Sequence, residues 1–134
     1  MNLKDKRALV TGGSRGIGKA IVLNLASQGC NVVFTYSSSD QHAKEVEALS
    51  SNYGVKILSY KADASSYEQA EKSVTFTLEN LGGLDILVNN AGITKDNLLL
   101  RMSESDFDSV INANLKSVFN YTKSVLKTMM GQRY

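Results

Sequence analysis

Cysteine is nearly absent from this chain: Cys30 stands alone among 134 residues, so no intrachain disulfide can form. It opens an apolar run, where a buried, inert thiol is expected rather than a reactive one. Histidine is as scarce. His42 lies beside Gln41 and Lys44 on a helix expected to face solvent, with no second ligand nearby, so no metal site is expected. An excess of one charge is also missing. The 15 Lys+Arg against 13 Asp+Glu leave a net charge of +2, too balanced to point to nucleic acid or an anionic membrane. No apolar run approaches membrane-spanning length, and the opening MNLKDKRALVTGG has no signal-peptide core. A cytoplasmic protein is expected. What is present is ordinary for a soluble globular chain: 43% hydrophobic and 21% charged residues. The length predicts one domain that buries about two thirds of its unfolded surface.

Strand-like and helix-like segments alternate without a linker or repeat. Residues 7–11 lean to strand. Residues 16–28 read as a helix with Ile17, Ile21 and Leu25 stacked and Gly29 as its C-terminal stop. The run NVVFTY at 31–36 is β-branched and aromatic, so it predicts a buried strand. A second helix is expected over 40–53, stopped by Gly54, and a third strand over 55–61. Ser65 with Glu68 has capping-box spacing for the next helix, whose stripe is Tyr67, Ala70, Val74, Leu78 and Leu81. Gly82 and Gly83 end it, and LDILV at 84–88 predicts a fourth strand. Ser103 with Asp106 opens one long last helix, reaching to about Met130. Its expected stripe is Phe107, Ile111, Val118, Thr122, Val125 and Met129, with Asn114 as a carboxamide on the same line. Strands separated by single helices imply parallel pairing and a doubly wound α/β layer. Ligands in such sheets bind beyond the carboxyl ends of the strands, at the strand-to-helix junctions.

The first junction is TGGSRGIG at 11–18. Glycine permits a tight turn and a close backbone approach, and the amides of a helix start attract a negative group. Gly12, Gly16 and Gly18 give the spacing G-x-x-x-G-x-G, and no Lys-Ser/Thr pair follows to make a Walker loop. A pyrophosphate fits this turn. The second junction, YSSSD at 36–40, should reach an adenosine ribose. NAD sites usually carry an acid there, but Thr35, Tyr36, Ser37 and Ser38 are neutral and Arg15 lies in the glycine turn. A guanidinium with serine hydroxyls suits a 2′-phosphate, so NADPH (NADP) is the expected cofactor. Asp40 is the one acid close enough to reach the ribose instead.

With TGGSRGIG, Asp63-Ala64, NNAG at 89–92 and Asn114 in order, residues 4–134 resemble the short-chain dehydrogenase/reductase family. The stretch NNAGITKDNLLLRMSESDFDSVINANLKSVF looks like the family's bacterial 3-oxoacyl-[acyl-carrier-protein] reductases. The resemblance implies a Rossmann-like doubly wound parallel sheet, here incomplete, with about four strands and flanking helices. It implies that Thr11, Gly12, Ser14, Arg15, Gly16, Ile17 and Gly18 cradle the cofactor, with Tyr36 and Ser37 at its ribose. Asp63 would accept from the adenine amino group, with the Ala64 backbone beside it. Asn89, Asn90, Ala91 and Gly92 would brace the sheet and line the second ribose. Asn114 matches the first of the family's four catalytic residues, a buried amide expected to help hold a water chain.

The family's other catalytic residues are a Ser and a Tyr-x-x-x-Lys pair. Tyr36, Tyr53, Tyr60, Tyr67 and Tyr121 are followed four places on by Asp40, Ile57, Ala64, Glu71 and Val125, so no such pair occurs. The resemblance therefore covers a single NAD(P)-binding domain over 1–134, truncated before the catalytic segment. The chain alone is expected to be inactive. A non-catalytic fragment that binds nucleotide or associates with full-length subunits stays open as a second reading. The implied partners are an acyl-carrier-protein thioester and either a homo-oligomer, tetrameric in intact family members, or a complementary C-terminal half. Lys123, Lys127 and Arg133 read as a solvated helix face or as part of a docking face for the acidic carrier. The fourth strand should be left as a sheet edge, and Phe107, Leu115, Phe119, Val125 and Met129 should be partly bare.

Overall fold

Four short runs of small and β-branched side chains make a sheet that is apolar on both faces. The structure is a computed structural model that describes residues 2–92 and 98–134. The strands are β1 (Arg7–Val10), β2 (Asn31–Tyr36), β3 (Ile57–Lys61) and β4 (Ile86–Val88), all parallel in the order β3-β2-β1-β4. β1 is central, with Leu9 paired to Val33 on one side and to Leu87 on the other. β4 is an edge, as the sequence predicts. The helices between strands are α1 (Gly16–Ser27), α2 (Asp40–Ala48) and α3 (Tyr67–Leu81). α4 (Glu104–Ile111) and α5 (Ser117–Gln132) follow, joined by a π-helical turn over Asn112–Lys116. No helix among the described residues is long and apolar enough to cross a membrane.

The period-2 alternation of the strands divides the interior into two cores. Ala8, Val10, Val32 and Phe34 face α1 and α2, where Val22, Leu25, Ala43 and Val46 meet them. Leu9 and Val33 face α3 and α5, where Ala70, Val74, Tyr121 and Val125 close the other side. Each fully buried valine or leucine stabilises the fold by about 1.5–3 kcal/mol. The expected α/β, Rossmann-like parallel sheet with flanking helices is the observed one. Cys30 is buried in the first core, and burial raises its thiol pKa.

The far end of the sheet is fastened by one charged pair. Arg7 Nε donates to Asp85 Oδ2 at 2.9 Å and Nη2 to Oδ1 at 3.1 Å, a two-point contact. Arg7 Nη1 also donates to Gly82 O at 3.1 Å, at the C-terminal end of α3. Gln132, the last residue of α5, donates to Asp85 Oδ1 at 3.2 Å and to Leu84 O at 2.7 Å. The pair thus joins the starts of β1 and β4 to the ends of α3 and α5. The bond to Arg7 holds the Asp85 carboxyl below its ordinary pKa.

Three local expectations need correction. Ile17 does not stack with Ile21 and Leu25; it is 75% exposed, and Gly18 and Val22 turn inward instead. The α3 cap is Ser66, which accepts from Gln69 N at 3.3 Å, while Ser65 bonds to Asp63. The last helix is not one regular rod, and its inward face lies about one residue earlier than the apolar stripe. The buried residues of α5 are Ser117, Asn120, Tyr121 and Val125. Val118 and Thr122 face outward. Hydropathy favours the apolar line, but Ser117, Asn120 and Tyr121 find polar partners inside: Asn114 O, Ala64 O and Ser73 Oγ. As far as Thr122 the apolar line points out. Phe107, Leu115 (65% exposed) and Phe119 (58%) are bare as expected, together with Ile111, Leu126 and Met130. Val125 is 2% exposed and Met129 packs on the second core, so these two are covered.

Asp85→Asn should destabilise the fold by about 2–3 kcal/mol at pH 7, the scale of hydrogen bonds to a charged group. A carboxyl with a lowered folded pKa stabilises above its unfolded pKa of about 3.9 and loses this as pH falls through the folded value. Urea midpoints of wild type and variant should therefore converge below about pH 4. A gap that stays constant from neutral to acid pH contradicts the assignment. Sedimentation velocity should show concentration-dependent association of the chain through its bare helix face, reduced by Leu115→Lys with Phe119→Lys. A concentration-independent wild-type monomer contradicts that.

Candidate functional site

All four strands end at one cleft of about 320 Å³. β1 runs into the glycine turn, where Gly12, Ser14, Arg15, Ile17 and Gly18 line it. β2 contributes Thr35, Tyr36, Ser37, Ser38 and Ser39. The β3 junction adds Ala62, Asp63 and Ala64, and the β4 junction adds Asn90, Ala91 and Gly92. Ala113, from the π-helical turn, completes the wall.

Short polar side chains tie these junctions together. Thr11 is buried and does not line the cleft. Its Oγ1 accepts from Asn90 N at 3.0 Å and Ala91 N at 2.9 Å, pinning the β4 junction to the β1 junction. Asn90 Nδ2 donates back to Gly12 O at 3.0 Å. Thr35 Oγ1 accepts from Gly12 N at 3.2 Å, and Thr35 O from Gly13 N at 2.9 Å, which joins β2 to the same turn. Gly18 packs directly on this knot: a Cβ there would lie 1.8 Å from Gly12 O and 2.5 Å from Asn90 Nδ2. Gly16 differs. Its φ is +59° but nothing lies within 4 Å of where a Cβ would be.

The start of α1 is chemically distinct. α2, α3 and α4 are capped by Ser39, Ser66 and Ser103, each accepting from a first-turn amide. α1 is preceded at its cap position by Arg15, which makes no side-chain cap bond. Its first-turn amides and the positive end of its dipole therefore suit an anion in the cleft. Around the second junction, Tyr36 Oη donates to Asp40 Oδ1 at 2.9 Å, and Lys61 Nζ lies 3.6 Å from the same oxygen. Asp40 is thus engaged with two neighbours. Burial, and then the bond to Asp40, raises the Tyr36 pKa. Asp63 Oδ1 accepts from Ser65 N at 2.9 Å and Ser65 Oγ at 2.7 Å. Burial raises the Tyr121 pKa, against hydrogen bonding to Ser73 and Thr35.

Among the residues singled out from sequence, Thr11, Gly16, Asn89 and Asn114 do not line the cleft. Asn89 Nδ2 donates to Thr122 Oγ1 at 3.3 Å, joining the end of β4 to α5. Asn114 sits in the π-helical turn and is exposed rather than buried. It shares the outward line of Phe107, Ile111 and Val118, one residue off the inward face. It lies against Gly92, where a Cβ would be 2.6 Å from Asn114 Oδ1. The lining residues outside the candidate set read from sequence are Thr35, Ser38, Ser39, Ala62 and Ala113. Strand pairing could have found Thr35, because Val10 pairs with Phe34 and so sets Thr35 beside the glycine turn.

Comparison with known proteins adds an independent line. The family model for short chain dehydrogenases matches residues 6–134. The chain is 43% identical over 129 residues to the 3-oxoacyl-[acyl-carrier-protein] reductase FabG of Staphylococcus epidermidis, covering 96% of this chain and 53% of that protein. It is 44% identical over 133 residues to FabG of Vibrio cholerae, covering 99% and 53%. Among solved structures, a short chain dehydrogenase from Burkholderia cenocepacia in complex with NADP superposes with a TM-score of 0.92 at 38% identity, covering 96% of this chain and 52% of that one. A blue fluorescent protein from a metagenomic library, in complex with NADPH, gives 0.89 at 34%, covering 96% and 53%. The chain thus spans about half the length of the relatives it matches.

Gly18→Ala should destabilise by about 3 kcal/mol or more, because the new methyl meets backbone and a tied amide. Gly16→Ala should cost about 1 kcal/mol, the strain of a left-handed residue in open space. Thermal melts of the two variants check this, and equal losses contradict the packing described.

Proposed function

Because the chain belongs to the short-chain dehydrogenase family, we propose that its cleft holds NADPH and serves the reduction of a 3-oxoacyl-[acyl-carrier-protein] thioester to the 3-hydroxyacyl form. The observation that carries this reading is the uncapped start of α1, facing a floor where Gly18 leaves room only for backbone. The residues present suit a dinucleotide. The first-turn amides of α1 would meet the diphosphate, with Ser14 beside them. Arg15 with Ser37 would meet the 2′-phosphate, and Tyr36 the ribose edge. Asp63 and the Ala64 backbone would meet the adenine, and Asn90, Ala91 and Gly92 the second ribose. Thr11, Gly16 and Asn89 would act by shaping these junctions.

Bound NADPH supplies a hydride. The proton that the product needs requires a donor, and these 134 residues hold no Tyr-x-x-x-Lys pair. In this proposal the chain is a single NAD(P)-binding domain that contributes the cofactor half and Asn114. The proton donor comes from residues beyond these, or from a complementary polypeptide covering the outward face of α5. We read the intact enzyme as cytoplasmic and homo-oligomeric, and the names of the FabG relatives support a carrier-bound acyl substrate. The missing pair equally favours a second reading, a non-catalytic module that binds nucleotide or associates with full-length subunits.

Fluorescence titration separates the parts. The chain should bind NADPH about tenfold or more tightly than NADH, the worth of one charge-assisted contact to the 2′-phosphate. Arg15→Ala should bring the two affinities together. NADPH consumption with an acetoacetyl thioester should be zero for these 134 residues alone. Equal wild-type affinities contradict the role of Arg15, and turnover contradicts the missing donor.

A further inference from the structure

Asn120 is a wholly buried amide (0% exposed) on a helix that the cleft does not touch. Its Nδ2 donates to Ala64 O at 3.1 Å. A carbonyl can only accept, so the amide nitrogen must be the atom facing it. Oδ1 is then left buried with no hydrogen-bond partner among the described residues. An unmet buried acceptor opposes folding, and an aliphatic side chain of similar size would avoid the penalty. Stability alone therefore does not account for an amide at this position. What it gains is the bond to Ala64.

That bond falls at a place where small shifts matter. Asp63 and Ala64 form the β3 side of the cleft. Ala62 N donates to Tyr36 O at 2.9 Å, tying the end of β3 to β2, and Ala64 packs on the second core, while the polar contacts of Asp63 itself are local. Asp63 N donates to Gln69 Oε1 at 2.7 Å, and Asp63 Oδ1 accepts from Ser65. They fix the turn relative to the start of α3. Asn120 reaches it from 56 residues away and fixes it relative to α5 and the second core. The adjacent Tyr121 anchors the same stretch of α5, through Ser73, so the amide is held on a packed support.

We propose that Asn120 is a positioning residue for the adenine end of the cleft. By holding the Ala64 carbonyl it sets the height and tilt of the Asp63–Ala64 step, and with it the recognition of the adenine 6-amino group. This rests on reading the cleft as a dinucleotide site. The residue touches no ligand itself, and it ties base recognition to the helix that carries the exposed apolar face.

The test compares NADPH with its hypoxanthine analogue, in which oxygen replaces the 6-amino group. Wild type should bind NADPH about tenfold more tightly than the analogue. In Asn120→Leu and Asn120→Asp that ratio should fall towards one, while the analogue keeps its wild-type affinity. Equal weakening of both nucleotides marks a merely structural residue and overturns the proposal, as does an unchanged ratio. If wild type binds neither nucleotide, the dinucleotide reading itself fails. If wild type discriminates and folded variants discriminate as well, only the role of Asn120 fails. A measurement on the wild-type chain covers variants that do not fold. The Asn120 side-chain amide protons should shift and exchange more slowly with NADPH, and not with the analogue. An identical response to both nucleotides overturns the proposal.

Discussion

The contact between Gly18 and the Gly12 carbonyl sets the geometry of everything around the cleft. α1 can sit this close to the end of β1 only because no side chain stands between them. The same carbonyl accepts from Asn90, and the amide of the same residue donates to Thr35. Three strand ends are thereby gathered on one backbone turn. Thr11 adds the fourth link by holding two successive amides of the β4 junction. A loose version of this knot would still fold as an α/β layer. It would not present a row of helix amides, a serine-rich edge and an acid at fixed positions around one cavity.

α5 has two faces with opposite chemistry. Inward it carries Ser117, Asn120 and Tyr121, each matched to a polar atom of a neighbouring element. Outward it carries Phe119, Leu126 and Met130, with Leu115 of the π-helical turn and Phe107 and Ile111 of α4 continuing the patch. An apolar area of this kind, beside the edge strand β4, marks a surface meant to be covered. It fits a chain that spans about half the length of its relatives. On the proposed reading, the buried face serves the cleft and the exposed face meets another polypeptide surface.

The sheet was legible because its signals are local and redundant. NVVFTY is apolar enough on both faces to be a buried strand, and glycines follow α1 and α3 where the chain must turn. The first junction was legible for the same reason: glycine spacing after a strand has few other uses. The last helix was not. A hydropathy stripe records which side chains avoid water, and on this chain its residues up to Thr122 face outward. It cannot record that a backbone carbonyl at Ala64 and a hydroxyl at Ser73 stand ready for Asn120 and Tyr121. Asn114 shares the outward line, one residue off the inward positions 113, 117 and 120–121. Thr35 was passed over because its role lies in a cross-strand contact with Gly12, which no window along the chain contains.

The central claim is that the amides opening α1, laid on the Gly12–Gly18 contact, hold the diphosphate of a reduced dinucleotide. A crystal structure of the chain at saturating NADPH tests it most directly. The account predicts the diphosphate against the amides of residues 16–18, with the adenine beside Asp63. A groove left empty under those conditions, or filled by an unrelated anion in preference to the nucleotide, would contradict it.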